Sequence, residues 1–310
     1  MRKAVLLVIA LCFISVCLTN AMVPIIQADL SQKTGIAPAF FGPNAFPIPE
    51  MSTGIVPSGV SVDVSGEVYK GFICPGAEDM TYDMHINLRI PLYRNRVGLY
   101  LWMVPQEWYS MDKAVMDARR IKLDDGRRNV GGDITLALEI LLLKERKFIP
   151  AVTVRSVLKS AAGDGFGMAR YYDCPGYFFD LTVAKSLFTS EERFFQDIRI
   201  GASFGFLCWQ TDNGRQNDAV QYGAFINAKT KALNLFTQFS GYSGWEKFGD
   251  CPMSLTARVN AGPDWVVTPF FQYQHGFRDW PFDQYRLGLS VDVSKIFGNA
   301  RKNKPLKIER

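Results

Sequence analysis

Apolar and polar residues alternate with a period of two along most of the chain from Val60 onward. The clearest run places Tyr285, Leu287, Leu289, Val291 and Val293 against Arg286, Gly288, Ser290 and Asp292. Successive side chains of a β-strand point to opposite faces, so such a run predicts a strand with one apolar face. About twelve runs recur, near residues 60–68, 83–90, 97–105, 133–140, 150–159, 177–187, 198–206, 219–228, 233–242, 253–260, 266–277 and 285–293.

The links between these runs alternate in length. Short links fall near residues 93–96, 145–147, 189–193, 229–231 and 262–264. Longer links rich in Gly, Asp and Pro fall near residues 73–79, 107–130, 160–175, 211–218, 243–251 and 278–283. Short turns on one rim and long loops on the other are typical of outer-membrane barrels. The pattern predicts an all-β fold, a transmembrane antiparallel up-and-down β-barrel of about twelve strands, with a short helix near residues 111–121.

The N-terminus carries an export pattern. Arg2 and Lys3 precede an apolar run over residues 4–16, and Thr19-Asn20-Ala21 offers small residues for cleavage, which predicts a signal peptide over residues 1–21. Lipidation at Cys17 is disfavoured because Val16 is larger than the usual preceding residue. Elsewhere the chain lacks the run of about 18 apolar residues that a spanning helix needs, so a membrane location requires a closed barrel.

The mature chain divides into three parts. Residues 22–57 are rich in Pro and Gly, show no period, and are expected either to plug the lumen or to lie in the periplasm. Residues 58–297 form the predicted barrel, and residues 298–310 form a basic periplasmic tail. An even number of strands places both termini in the periplasm. The net charge of +5 is modest and partly lies in this tail, which argues against nucleic acid as a partner.

A secreted soluble sandwich or barrel is the alternative, because alternation does not say which face meets water. Aromatic residues form 13% of the chain, and several lie near predicted strand ends, where membrane interfaces hold them. They are Phe72, Tyr82, Trp108, Trp209, Trp245, Trp265, Trp280 and Phe282. These aromatics and the alternating loop lengths favour the membrane interpretation.

The polar faces carry nearly balanced acids and bases. The predicted lumen-lining residues are Asp63, Glu67, Asp83, His85, Arg89, Asp133, Glu139, Arg155, Asp180, Arg199, Arg258, Arg286 and Asp292, with Lys159 beside them. Across a narrow lumen these charges either line a water-filled path that selects solutes or pair into a network that fills the interior.

Three stretches resemble known outer-membrane features. Arg286, Gly288, Val291, Val293 and Phe297 are similar to the signal that barrel-assembly machinery reads, although a 13-residue extension follows Phe297. The segments Phe40–Glu50 and Ala169–Asp180 resemble outer-membrane barrels of Bacteroides-type bacteria. This resemblance implies the fold and the location, and it implies no activity.

Enzymatic chemistry has little support. The hairpin from Phe270 to Gly288 is faintly similar to the end of outer-membrane phospholipase A, which carries a His two residues before its nucleophilic Ser. His85 and His275 lack that neighbour, so the sequence predicts no enzyme. Gly163–Gly167 is expected to be a flexible loop rather than a phosphate cradle, and the adjacent acids Asp124-Asp125 do not define a metal site. No cofactor is expected.

Four cysteines of the mature chain map to the long-loop rim. Cys74, Cys174, Cys208 and Cys251 are expected to form one or two disulfides there, with a connectivity that the sequence does not give. Cys-x-x-Cys spacing is missing, which argues against a metal site.

The expected function is a channel or binding site for a small polar solute in the bacterial outer membrane. A non-conducting structural or adhesive barrel is the alternative, and a lipid-modifying enzyme is the third. The expected partners are outer-membrane lipid, lipopolysaccharide and the barrel-assembly machinery.

Overall fold

The computed structural model describes residues 38–93, 95–121, 125–171, 174–210, 218–244 and 250–297. Within these ranges the strands are β1 (Ser61–Gly71), β2 (Asp79–Tyr93), β3 (Val97–Met103), β4 (Glu107–Met111), β5 (Arg127–Val130), β6 (Ile134–Leu143), β7 (Ala151–Lys159), β8 (Gly176–Thr189), β9 (Phe195–Trp209), β10 (Asp218–Thr230), β11 (Leu233–Gly244), β12 (Met253–Ala261), β13 (Val267–Arg278) and β14 (Phe282–Asp292). The short helices are α1 (Lys113–Ala118) and α2 (Val293–Ile296), and 3₁₀ turns cover Pro38–Phe40 and Phe166–Met168. No helix in these ranges has the length and apolarity needed to span a bilayer.

The strands form one closed antiparallel sheet. β1 pairs with both β2 and β14, which closes the barrel, and each strand from β6 to β13 pairs with the next strand along the chain. β4 continues the line of β3 along β2, and β5 continues β6, so the strand segments make a barrel of twelve strands. The structure confirms the predicted up-and-down barrel.

The two rims differ as expected. The short links join β2 to β3, β6 to β7, β8 to β9, β10 to β11 and β12 to β13, and the long links lie at the opposite rim. The stretch predicted as one long loop, residues 107–130, also contains β4 and β5, which extend the wall on either side of α1. These strands were missed because they are short and because β2 begins earlier than its apolar alternation shows.

The two faces of the sheet have opposite character. Apolar side chains on the outer face are exposed, including Val64, Met84, Leu138, Leu181, Ile200, Phe204, Ile226, Phe271, Leu287 and Leu289. Charged and amide side chains on the inner face are buried, including Asp63, Glu67, Asp83, Glu139, Asp180, Arg199, Gln238 and Gln272. A soluble domain has the reverse arrangement, so the exterior of this barrel is unsuited to water.

Residues 38–57 run through the inside of the barrel. Near the long-loop rim the Gly42 amide donates to the Ala169 carbonyl at 2.9 Å, and at the short-turn rim the Val60 amide donates to Ser294 Oγ at 2.7 Å. The two ends of the described chain therefore lie at opposite rims. The signal peptide, residues 22–37 and the basic tail from residue 298 lie outside the described residues.

Candidate functional site

The candidate site is the lumen together with residues 38–57, which we call the plug. Beyond its first 3₁₀ turn the plug has no regular secondary structure and pairs with no strand. Pro43, Pro47, Pro49 and Pro57 remove amide donors and fix φ, so its remaining carbonyls and amides need partners on the wall. The described part of residues 22–57 thus lies inside the lumen.

The long-loop half of the plug forms an apolar seal. Phe46 is 1% exposed, and its ring packs against Phe41 and Trp209 with centroids 5.3 Å and 5.7 Å away. Tyr242 Oη donates to the Phe46 carbonyl at 3.2 Å. This packing closes the lumen at the level of Phe46.

The seal corrects part of the aromatic prediction. Tyr82, Trp108 and Trp265 are exposed on the outside, as expected for interfacial rings. Trp209, Trp280 and Phe282 are instead buried on the inside, where their rings belong to the cluster around the plug. Trp245 lies outside the described residues.

Asn44 fixes the outer half of the plug to two buried acids. Its Nδ2 donates to Asp83 Oδ2 at 2.8 Å and to Glu107 Oε2 at 2.9 Å. Glu107 also accepts hydrogen bonds from Arg170 Nε at 2.7 Å and from Tyr171 Oη at 3.1 Å. Burial, reinforced by the Glu107 charge, raises the pKa of Tyr171 well above its usual range, so the phenol stays a donor. These contacts join the plug to the long loop between β7 and β8, which carries Arg170 and Tyr171.

The short-turn half of the plug is held mainly by wall side chains that bind its backbone. Arg155 Nη2 donates to the Glu50 carbonyl at 2.8 Å, and Arg199 donates to the carbonyls of Thr53 at 2.8 Å and Gly54 at 3.3 Å. Gly54 has φ +68°, and a Cβ there would lie 2.9 Å from the Ala184 Cβ, so the chain passes the wall where only glycine fits.

The lumen retains free space beside the short-turn half of the plug. The side chains of Glu50 and Arg89 are 52% and 34% exposed, and Ile55 is 50% exposed. A further cavity beside Glu50 and Arg155 measures about 10 Å³, room for about one water molecule. The long-loop half is therefore filled, whereas the short-turn half leaves one flank of the plug accessible to water.

Most of the predicted lumen residues come together in ion pairs inside the barrel, whereas Glu139 accepts hydrogen bonds and Asp292 lies at the end of its strand. Asp63 contacts Arg89 and Arg258, Arg155 lies 2.8 Å from Asp180, Lys159 contacts Asp133, and Glu139 accepts from Ser52 and from Tyr100 at 2.5 Å. Arg286 lies 2.6 Å from Glu67, and Arg199 contacts Glu145. Asp292 instead caps α2 by accepting from the Lys295 amide at 3.1 Å, because the strand ends there.

Several partners in this network were missed from the sequence. Asp79 pairs with Arg119 at 2.8 Å, and Glu107 pairs with Arg170 at 2.7 Å, all four buried. Arg119 and Arg170 lie in loops that fold into the barrel mouth, and no periodicity marks such residues. Glu50 was missed because the plug has no period.

Glu67, Asp83 and His85 form a buried group that could hold a metal ion, since their ligand atoms lie within 4.8 Å of one another. His85 Nε2 is 2.8 Å from Asp83 Oδ1 and 3.4 Å from Glu67 Oε2. Arg286 Nε and Gln284 Nε2 already donate to the two Glu67 oxygens. A cation would therefore have to share Glu67 with an arginine, which disfavours binding.

His275 lies on the outer face. Its Nδ1 is 2.8 Å from Asp283 Oδ1, which also accepts from Tyr273 Oη at 2.7 Å. An acid that orients the imidazole is one part of a Ser-His mechanism. The hydrogen bonds of the described residues join His275 to no serine or threonine nucleophile. His275 and Asp283 therefore form the base and acid of such a mechanism without the nucleophile that the enzyme hypothesis requires.

No disulfide joins Cys74, Cys174, Cys208 and Cys251 in the described structure, and disulfide formation at this rim stays a prediction. Cys74 Sγ contacts the Ala114 carbonyl at 3.5 Å, and Cys208 lies on β9.

The residues of the predicted assembly signal lie at the end of the barrel. Arg286, Gly288 and Val291 lie on β14, Val293 is the first residue of α2, and Phe297 follows α2 and is 72% exposed.

No family model matches the chain, and no curated protein matches it. Among solved structures, an outer-membrane channel from Pseudomonas putida F1 aligns over 79% of this chain and 99% of its own, with a TM-score of 0.54 and 12% identity. The NanC porin aligns over 75% and 100% with a TM-score of 0.48 and 10% identity, and the KdgM porin over 74% and 98% with 0.46 and 10%. The likeness to the channel supports the barrel fold.

Proposed function

We propose that the protein is an outer-membrane β-barrel that gives small polar solutes a gated passage, with residues 38–57 as the gate. The outer-membrane placement rests on the exterior, where rows of exposed Val, Leu, Ile and Phe side chains surround a closed sheet. A closed sheet leaves no unpaired edge, which is the condition for strands to sit in lipid. Long loops then face outward and short turns face the periplasm.

The passage rests on the charged and polar side chains that line the wall at several heights between the two rims. Asp133 and Lys159 line it near one rim, Asp180 and Arg155 lie at mid-height, and Asp63 and Arg89 lie nearer the other rim. These groups remain on the wall if the plug withdraws, and water can then solvate them. The plug is attached by hydrogen bonds and packing, with no strand pairing to break.

The single observation that carries the proposal is the contrast between a water-compatible wall and a separable segment that closes it. In this proposal the described conformation is the closed state, with the plug docked in the lumen. A permanently closed structural or adhesive barrel is the second candidate, and the tight Phe46 seal favours it.

The gate is tested by cross-linking the plug to the wall and measuring conductance in a planar bilayer. Ser52 Oγ lies 3.4 Å from Thr153 Oγ1, so Ser52→Cys with Thr153→Cys places two thiols within reach of a disulfide. The native cysteines at 74, 174, 208 and 251 are replaced by serine in this chain. We expect discrete openings under reduction, their loss on oxidation and their return with reductant, because the plug must move to open the path.

A chain lacking residues 38–57 shows the size of the unblocked pore, and each single cysteine variant controls for the substitutions. If that chain conducts but the reduced double variant never opens, the plug is permanent and the structural candidate is correct. If the chain lacking the plug does not conduct, the wall itself blocks the path and the proposed passage is wrong.

A further inference from the structure

Glu50 is the only ionisable residue among residues 38–57. Its Oε1 accepts hydrogen bonds from Gln272 Nε2 at 3.2 Å and from Arg286 Nη1 at 3.3 Å, and Arg258 acts on it electrostatically. The rest of the plug is neutral, so its one charge sits against a cationic patch of the wall.

The two arginines around this carboxylate are held in place by other contacts. Arg286 is oriented by Glu67 through its Nε at 2.6 Å. Arg258 binds Asp63 at 3.2 Å and lies over the Phe270 ring, 3.7 Å from its centroid. Guanidinium donors fixed in this way are suited to recognising a carboxylate.

The plug adds one carboxylate to the charged groups at this level. Arg89, Arg258 and Arg286 contact the wall carboxylates Asp63 and Glu67, and Arg286 also contacts the plug. Glu50 is the plug residue that it contacts. Its side chain remains 52% exposed, and it therefore reaches the site through water-accessible space rather than through packing.

We infer that Arg258, Gln272 and Arg286 form a binding site for the carboxylate of a small solute, and that Glu50 occupies this site as a tethered competitor. The inference rests on the proposed passage and names its substrate class: small organic carboxylates. A solute that displaces Glu50 removes one of the attachments of the plug, which couples binding to opening.

Titration calorimetry on the purified full chain tests the site, with glucuronate as the probe and glucose as its neutral counterpart. Glu50→Gln keeps the shape of the side chain and removes its charge. We expect this variant to bind glucuronate about tenfold more tightly than the wild type, the equivalent of about 1.4 kcal/mol. Adding Gln272→Leu to it should weaken glucuronate binding about tenfold, and neither chain should gain affinity for glucose.

Ile55→Ala, in the exposed flank of the plug, is the matched control and should bind glucuronate like the wild type. Equal affinity of the wild type and Glu50→Gln overturns the inference, as does equal binding of glucose. Calorimetry measures binding at the site independently of conductance. If the chain lacking the plug conducts but does not bind glucuronate, only this inference is refuted. If that chain binds glucuronate but does not conduct, only the proposed passage is refuted.

Discussion

Leu287→Arg is expected to abolish stable insertion of the barrel into a bilayer. Leu287 lies at the middle of β14, is 68% exposed, and is flanked in the sheet by Gly66 and Phe271. An arginine on the lipid face near the bilayer centre costs about 2–4 kcal/mol, because the charge loses water without gaining a partner. The measurement is the fraction of refolded protein that floats with liposomes and resists unfolding in SDS.

The matched control for this substitution is Phe148→Arg. Phe148 is 85% exposed but lies in the short turn between β6 and β7, outside the apolar belt. It should assemble like the wild type. If Leu287→Arg also assembles normally, the outer face at that height does not meet lipid.

Phe46→Ala is expected to open the gate. Phe46 is almost fully buried against Phe41 and Trp209, and truncating a buried Phe costs about 3–5 kcal/mol. If that cost falls on the docked plug alone, the undocked fraction rises by about two to four powers of ten. Single-channel recording should show a higher opening frequency for this variant than for the wild type.

Ile55→Ala in the same segment should leave the opening frequency near that of the wild type, since Ile55 is half exposed. Both variants should keep the SDS-resistant folded form, because neither residue belongs to a strand. An opening frequency unchanged by Phe46→Ala would mean that the apolar seal is not what holds the path closed.

The strands and rims were predictable because their signal is local. The alternation of Leu287 and Leu289 with Gly288 and Ser290 fixes two faces within a few residues, and the charged or glycine-rich links fix the turns. Pairing in chain order then gives the barrel without long-range information.

The closed lumen was not predictable, because it depends on contacts far apart in the chain. The Met51 amide donates a hydrogen bond to Gln238, and Arg199 donates one to the Thr53 carbonyl. These partners are too far apart in the sequence for a local period to predict the contact. The predicted outward direction of the Trp209 and Trp280 side chains was wrong for a related reason. Near a rim, an aromatic ring can lie either at the lipid interface or in a buried cluster. Only the presence of the plug decides between them.

The account depends most on which face of the wall touches lipid, and spin labels placed one at a time at residues 285–291 in proteoliposomes measure this directly. In EPR power saturation we expect oxygen to relax labels at 285, 287, 289 and 291 strongly and a water-soluble nickel complex to relax them weakly, because these positions point outward. Labels at 286, 288 and 290 should lack this preference for oxygen. Strong relaxation by the nickel complex at 287 and 289 would contradict the membrane placement and the passage proposed from it.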